Sequence, residues 1–233
     1  MQNKNEEVAF FTPLADEDYA PLSDDLHDFV ISIIGPHVRG KILEAGCGTG
    51  VLGRKLSTAD ITGVDICPSM IRTASLRSKH KYIVGDLEDK NLFPAGSFDT
   101  IICPWVLHHF PDIDTVAQNL KTWCKPGGHI ILVEPNGDCL VNRLSKLVRD
   151  VMLLTGKSIA SYGTSNETDH KCSVYLSHFS DCDAICIERY GSDMHEAKSR
   201  DRLVQAKQML YGAAKWLPQK FGEPGLIIIF RNG

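Results

Sequence analysis

The chain has 233 residues, 43% of them hydrophobic and 23% charged, with a formal net charge of −4 and a pI near 6.1. That length can bury one core with additions, and the scattered Lys and Arg residues exclude the basic stripe that a nucleic-acid backbone selects. The amino terminus MQNKNEEVAF has no basic segment followed by an apolar run, and no later stretch approaches the roughly 20 apolar residues of a bilayer span. The expectation is a cytoplasmic protein with no nucleic-acid partner and no membrane insertion.

Ser23 reads as the N-cap of a helix from about 24 to 34, with Leu26, Phe29, Val30, Ile33 and Ile34 on helical spacing and Gly35-Pro36 stopping it. Short buried strands follow as KILEA (41–45), ITGVD (61–65), KYIVGD (81–86), FDTIIC (98–103) and GHIILVE (128–134). Helical segments alternate with them at about 50–57, 68–79 and 113–123, the last stopped by Lys125-Pro126-Gly127-Gly128. Strands separated by helices predict a doubly wound α/β fold, with a mostly parallel sheet covered on both faces and a ligand crevice at the carboxyl ends of the strands. Beyond it come an amphipathic helix at about 138–154, a polar loop at 155–171, a strand at 183–190, a long helix at 195–217 and a strand at 225–232. These bring the expected sheet to seven strands. The organisation expected is a helical lid segment over 1–40 and a ligand-binding domain over 41–233, with 137–182 as a substrate-covering insertion.

Eight cysteines contain no C-x-x-C pair, and Cys182 and Cys186 are the closest two, so buried reduced thiols are expected rather than a zinc site or a disulfide framework.

The stretch ILEAGCGTG (42–50) is the most specific chemistry in the chain. Gly48, Gly50 and Gly53 satisfy the dinucleotide pattern G-x-G-x-x-G, which on its own is a weak signal. Asp65 follows Gly48 by only 17 residues, where a ribose-binding acid of that class lies roughly 20 residues on. If Gly46, Gly48 and Gly50 are the working set, Glu44 stands at the end of the first strand, where it suits a cationic ligand and would repel a pyrophosphate.

Five motifs in order resemble the class I S-adenosylmethionine-dependent methyltransferases, particularly the small-molecule group similar to ubiquinone-biosynthesis enzymes. They are ILEAGCGTG, GVDICPSM, VGDLED, FDTIICPWVLHHF and KPGGHIILVEP. The resemblance covers about residues 10 to 135 closely. It implies S-adenosylmethionine as cofactor, with the loop Gly46, Cys47, Gly48 and Gly50 against its methionine part and Glu44 near its amino group. It further implies Asp65 on the ribose hydroxyls, Ile66 and Met70 on one adenine face, Leu87 on the other, Asp86 on the adenine amino group, and Cys103 shaping the backbone nearby. His109 or His108 would be the catalytic base, and Tyr19, Trp105, Glu134 and Asn136 would border a small-molecule acceptor. Metal-dependent relatives place Glu residues where Trp105 and His108 align here, so no metal is expected. The motifs leave open the acceptor atom, the oligomeric state, and two other readings: a non-catalytic binding protein of this fold and an NAD-dependent oxidoreductase.

Overall fold

A computed structural model describes residues 3–15, 24–56, 60–154, 164, 166–191, 209–214 and 216–233. Its seven strands are β1 (Lys41–Ala45), β2 (Asp60–Asp65), β3 (Lys81–Val84), β4 (Phe98–Pro104), β5 (Cys124–Pro135), β6 (Asp183–Tyr190) and β7 (Gly225–Arg231). The helices are α1 (Lys4–Leu14), α2 (Asp24–Ile34), α3 (Val51–Lys55), α4 (Pro68–Arg77), α5 (Asp114–Trp123), α6 (Leu140–Leu154) and α7 (Cys172–His178), with a short helical turn at Gln219–Gly222. One sheet holds all seven strands in the order β3-β2-β1-β4-β5-β7-β6. The first five are mutually parallel, and β7 runs antiparallel to both β5 and β6.

Strand sequence follows from burial. β5 and β7 carry unbroken apolar runs, Ile130-Ile131-Leu132-Val133 and Leu226 to Phe230, because both of their faces are covered. Alternation then sends neighbours to opposite layers: Leu43, Ile101, Ile130 and Leu132 join α5 and α7 on one side, while Ile42, Ile102, Ile131 and Val133 meet Leu26, Val30 and Ile34 of α2 on the other. Chain order reverses at β1, between β2 and β4, so the carboxyl ends of β1 and β4 open onto a crevice.

The expected strands and the helices at 24–34, 68–77 and 114–123 are present, with ends shifted by a few residues. The Lys125-Pro126-Gly127-Gly128 turn is absorbed into β5, which begins at Cys124 and loses register with β4 between Phe98 and Thr100. Asn232 holds this bulge: its Nδ2 donates to the carbonyls of Lys121, Cys124 and Lys125. Most of the expected 195–217 helix lies outside the described residues; of its described part, 209–214 is helical and 216–217 is not.

Two helices had no bounds assigned from the sequence, α1 within the segment expected to be helical over 1–40 and α7 within 137–182. In α1 the buried residue is Glu7 rather than an apolar stripe, so helical periodicity gives no signal there. Its start does carry one, since Asn3 accepts from the Glu6 N–H at 3.3 Å in the N-x-x-E spacing of a capping box. α7 is only seven residues long.

Trp123 ends α5 fully buried, with Phe93 edge-on at 5.3 Å. Trp123→Ala is expected to lower unfolding free energy by about 3–5 kcal/mol, measured by urea denaturation; a loss below about 1 kcal/mol would place this side chain outside the cooperative core.

Candidate active site

The crevice is a cavity of about 560 Å³ lined from β1, β2, β4, the segments that follow them, and α1. After β1 the chain turns through Gly46 (φ 72°), Gly48 (φ 50°) and Gly50 (φ 73°), a left-handed series that residues with a Cβ adopt only at a cost. A Cβ on Gly46 would lie 1.9 Å from a Val106 methyl, whereas one on Gly48 would meet nothing within 4 Å. Gly46 is thus fixed by close packing, and Gly48 presents bare backbone to the cavity. The Gly46 and Cys47 N–H groups donate to Val64 O at 2.8 and 2.9 Å, tying the loop to β2.

Glu44 reaches the cavity from β1 with 2% of its surface exposed. Its Oε2 has no hydrogen-bond partner among the described residues. Burial above all, and then the nearby charge of Asp65, push its carboxyl up to about 8, against the opposing pull of the Gly53 peptide and Arg54. An ionised Glu44 therefore calls for a cation that the described protein does not supply.

Asp65 closes β2 with both oxygens oriented: Oδ2 accepts from Gly48 N–H at 2.9 Å and Oδ1 from Cys67 N–H at 2.8 Å. Burial raises its carboxyl, opposed by those two N–H groups. A carboxylate offers about four lone-pair sites, so capacity for a vicinal diol remains. Ile66, Met70 and Leu87 line the same pocket, as does Asp86. Asp86 is already engaged, since Lys4 of α1 lies 2.5 Å from Oδ2 and Oδ1 accepts from Glu88 N–H at 2.9 Å.

After β4 the chain holds Trp105 at φ 53°, a left-handed conformation that is strained for a bulky residue, with its N–H on Val133 O at 2.6 Å. A single 3₁₀ turn, Leu107–His109, then presents two imidazoles. His108 Nδ1 lies 2.8 Å from Glu134 Oε2, while Glu134 Oε1 accepts from the Val106 and Leu107 N–H groups at 3.0 and 2.7 Å. Burial opposes the charged form of His108, but the Glu134 contact outweighs it and raises the group overall. His109 Nδ1 lies 3.2 Å from Glu7 Oε2 of α1, an ion-pair distance without the alignment of a hydrogen bond.

The structure thus brings Glu44, Gly46, Cys47, Gly48, Asp65, Ile66, Met70, Asp86, Leu87, Trp105, His108 and His109 to one cavity. Four expected residues stand behind its wall. Gly50 is the N-cap of α3, and Cys103 is fully buried in the core. Glu134 is spent on peptide N–H groups and His108, and Asn136 holds a turn by donating to the carbonyls of Lys220 and Glu223. Tyr19 lies outside the described residues. Sequence reasoning missed Glu7, Phe10, Phe11, His27 and Glu167, all of which line the cavity. The first three were hidden with α1, and Glu167 sits in what reads as a polar loop.

Residues 43–132 match the family model of a methyltransferase domain. That stretch, less than half of the chain, is similar to methyltransferase domains. A ubiquinone biosynthesis O-methyltransferase of Xanthomonas euvesicatoria is 32% identical over 99 residues, 40% of this chain and 41% of that protein. Its counterpart from Chromobacterium violaceum is 32% identical over 127 residues, 52% of each chain. The methyltransferase domain therefore spans about half the length, or less, of the curated relatives it matches. Among solved structures, a SAM dependent methyltransferase from Archaeoglobus fulgidus superposes with a TM-score of 0.65 at 15% identity over 90% of this chain and 94% of that one. Geranyl diphosphate C-methyltransferase from Streptomyces coelicolor A3(2), solved with S-adenosyl-L-homocysteine, gives 0.66 at 14% identity over 90% and 80%. At such identities the likeness establishes the fold.

The Glu44 carboxyl, raised above its unfolded value, contributes stability that is present below about pH 4.5 and lost as pH rises through about 8. Glu44→Gln removes this term, so the variant should gain on the parent progressively between pH 5 and 8, by at most about 1.4 kcal/mol per unit. Parallel stability profiles in urea would show that Glu44 is ionised in the ligand-free protein.

Proposed function

We propose that the protein transfers the methyl group of S-adenosylmethionine to an oxygen, nitrogen or carbon nucleophile of a small-molecule acceptor. The observation that carries this reading is the unpartnered, buried Glu44 Oε2 beside a glycine loop, with the oriented carboxylate of Asp65 at the next strand end. An amino-acid ammonium answers the first group and a ribose diol the second. A nicotinamide dinucleotide would set its pyrophosphate against Glu44, which disfavours the oxidoreductase reading. The names of the curated relatives favour oxygen as the methylated atom. A net charge of −4 and the absence, among the described residues, of a helix able to cross a membrane support a protein working in the cytoplasm without nucleic acid.

When bound, the cofactor supplies a sulfonium whose methyl group is already electrophilic. What remains for the protein is alignment of the acceptor and, where that atom carries a proton, its removal. Gly46 to Gly48 and Glu44 fix the methionine end, while Asp65, Ile66, Met70 and Leu87 fix the adenosine end. Phe10, Phe11, Trp105 and Phe110 wall the rest of the cavity, excluding water from the acceptor. His108 and His109 are the groups there able to take a proton, and each has a carboxylate within 3.2 Å or less of its Nδ1.

S-adenosylhomocysteine is expected to raise the melting temperature of the purified protein, because a ligand selective for the native state stabilises it by mass action. Asp65→Ala should abolish most of that shift while leaving the ligand-free melting transition cooperative. Millimolar ligand with no effect on the parent, or an Asp65→Ala variant that binds as tightly as the parent, would refute the proposal.

A further inference from the structure

We infer that Glu7 is the positioning residue of His109, so that α1 completes the proton-accepting group of the cleft by lying across it. The inference rests on the methyltransferase reading of the site for its purpose but not for its geometry. Two adjacent imidazoles face the cavity, their ring centroids 4.2 Å apart, and each turns Nδ1 toward a carboxylate. The partners differ in origin. Glu134 belongs to the sheet and is held by three peptide N–H groups, so His108 is oriented by the permanent frame. Glu7 arrives on α1, a helix from outside the sheet, so the carboxylate beside His109 is not part of that frame.

Glu7 divides its two oxygens between partners. It is 2% exposed, and its Oε1 accepts from Thr164 Oγ1 and Asn166 Nδ2, which leaves Oε2 for His109. Despite burial, these partners, His109 first among them, hold its carboxyl below the usual range. A buried carboxylate is an expensive way to anchor a helix, since an apolar side chain there would avoid the desolvation cost. The rest of α1 has its own anchors: Lys4 on Asp86 and Glu88, the Asn3 N–H on Asn166 Oδ1, and Phe11 and Leu14 packed on Cys67 and Met70. Thr164 and Asn166 account for one oxygen of the Glu7 carboxylate, and the other is left facing His109. With the Glu7 carboxylate 3.2 Å away favouring the proton on Nδ1, a neutral His109 would keep its Nε2 lone pair as the acceptor available to the cleft. Among the described residues, the other charged or titratable groups near the ring include His108 beside it and Asp65 at the end of β2, with Glu167 lining the same cavity.

The test is the tautomer of His109, read from ¹⁵N ring shifts at about pH 8.5, where free imidazole is neutral, with a His109→Gln sample to assign the signals. In the parent Nδ1 should carry the proton. In Glu7→Gln the amide oxygen stays with Thr164 and Asn166, its NH₂ turns toward His109, and the proton should move to Nε2. Lys4→Ala, which loosens α1 but keeps the carboxylate, should retain the parent tautomer. With a methyl acceptor in hand, Glu7→Gln should lower kcat by about 10²-fold or more with S-adenosylhomocysteine affinity changed only a few-fold. An identical tautomer in the parent and Glu7→Gln would overturn the inference, as would a Lys4→Ala change matching that of Glu7→Gln, which would assign the effect to helix docking. S-adenosylhomocysteine binding by the parent is measured on the same samples, so failure of the methyltransferase reading would show separately.

Discussion

A carboxylate buried near a strand end, with one oxygen unpartnered among the described residues, is the constraint on which the site depends. Glu44 cannot ionise cheaply in its place on β1, because burial and the neighbouring Asp65 both oppose a second negative charge. Such a group is either a defect or half of an interaction. The surroundings favour the second account, since the glycine turn beside it is shaped to admit a ligand to the backbone and Asp65 is already oriented by two peptide N–H groups. A cationic, diol-bearing ligand resolves both carboxylates at once.

The fold makes this arrangement by bringing parallel strand ends together. Reversal of strand order at β1 leaves a gap beyond its carboxyl end, and β1, β2 and β4 each deliver one functional segment to it. The fixed frame extends to His108 through Glu134, whose buried carboxylate ties β5 to the turn after β4. α1 does not belong to that frame. It spans the cleft by polar contacts, with Lys4 on Asp86 and Glu7 on His109, and its small apolar cluster is confined to one end. Lys4 is more than a third exposed, and ion pairs of that kind contribute little, about 0–1 kcal/mol.

The sheet, and the residues that β1, β2 and the turn after β3 bring to the cavity, were legible in the sequence because their signals are local. Strands show as short apolar runs, the glycine series marks its own backbone geometry, and Glu44, Asp65 and Asp86 occupy strand ends or the turns just beyond them. The acceptor half was not, because it is assembled from distant segments whose roles depend on burial. Glu134 near the end of β5 and Asn136 just beyond it stand at positions that suggest a pocket, yet peptide groups nearby claim their side chains. Glu7 lies in a segment that resembles an exposed acidic terminus, and only the folded chain sets it 3.2 Å from His109. Residues 164 to 168 read as a polar loop but supply Glu7 with two donors, through Thr164 and Asn166, and His108 O with one, through Thr168 N–H.

The most direct measurement is the titration of the Glu44 carboxyl by ¹³C NMR, in the ligand-free protein and with saturating S-adenosylhomocysteine, using Glu44→Gln to identify the signal. The account predicts a midpoint near 8 without ligand, and a carboxylate already ionised at neutral pH once the ligand ammonium is beside it. A midpoint that the bound ligand leaves unmoved would contradict the account, because Glu44 would then not be the group that receives the cofactor's charge.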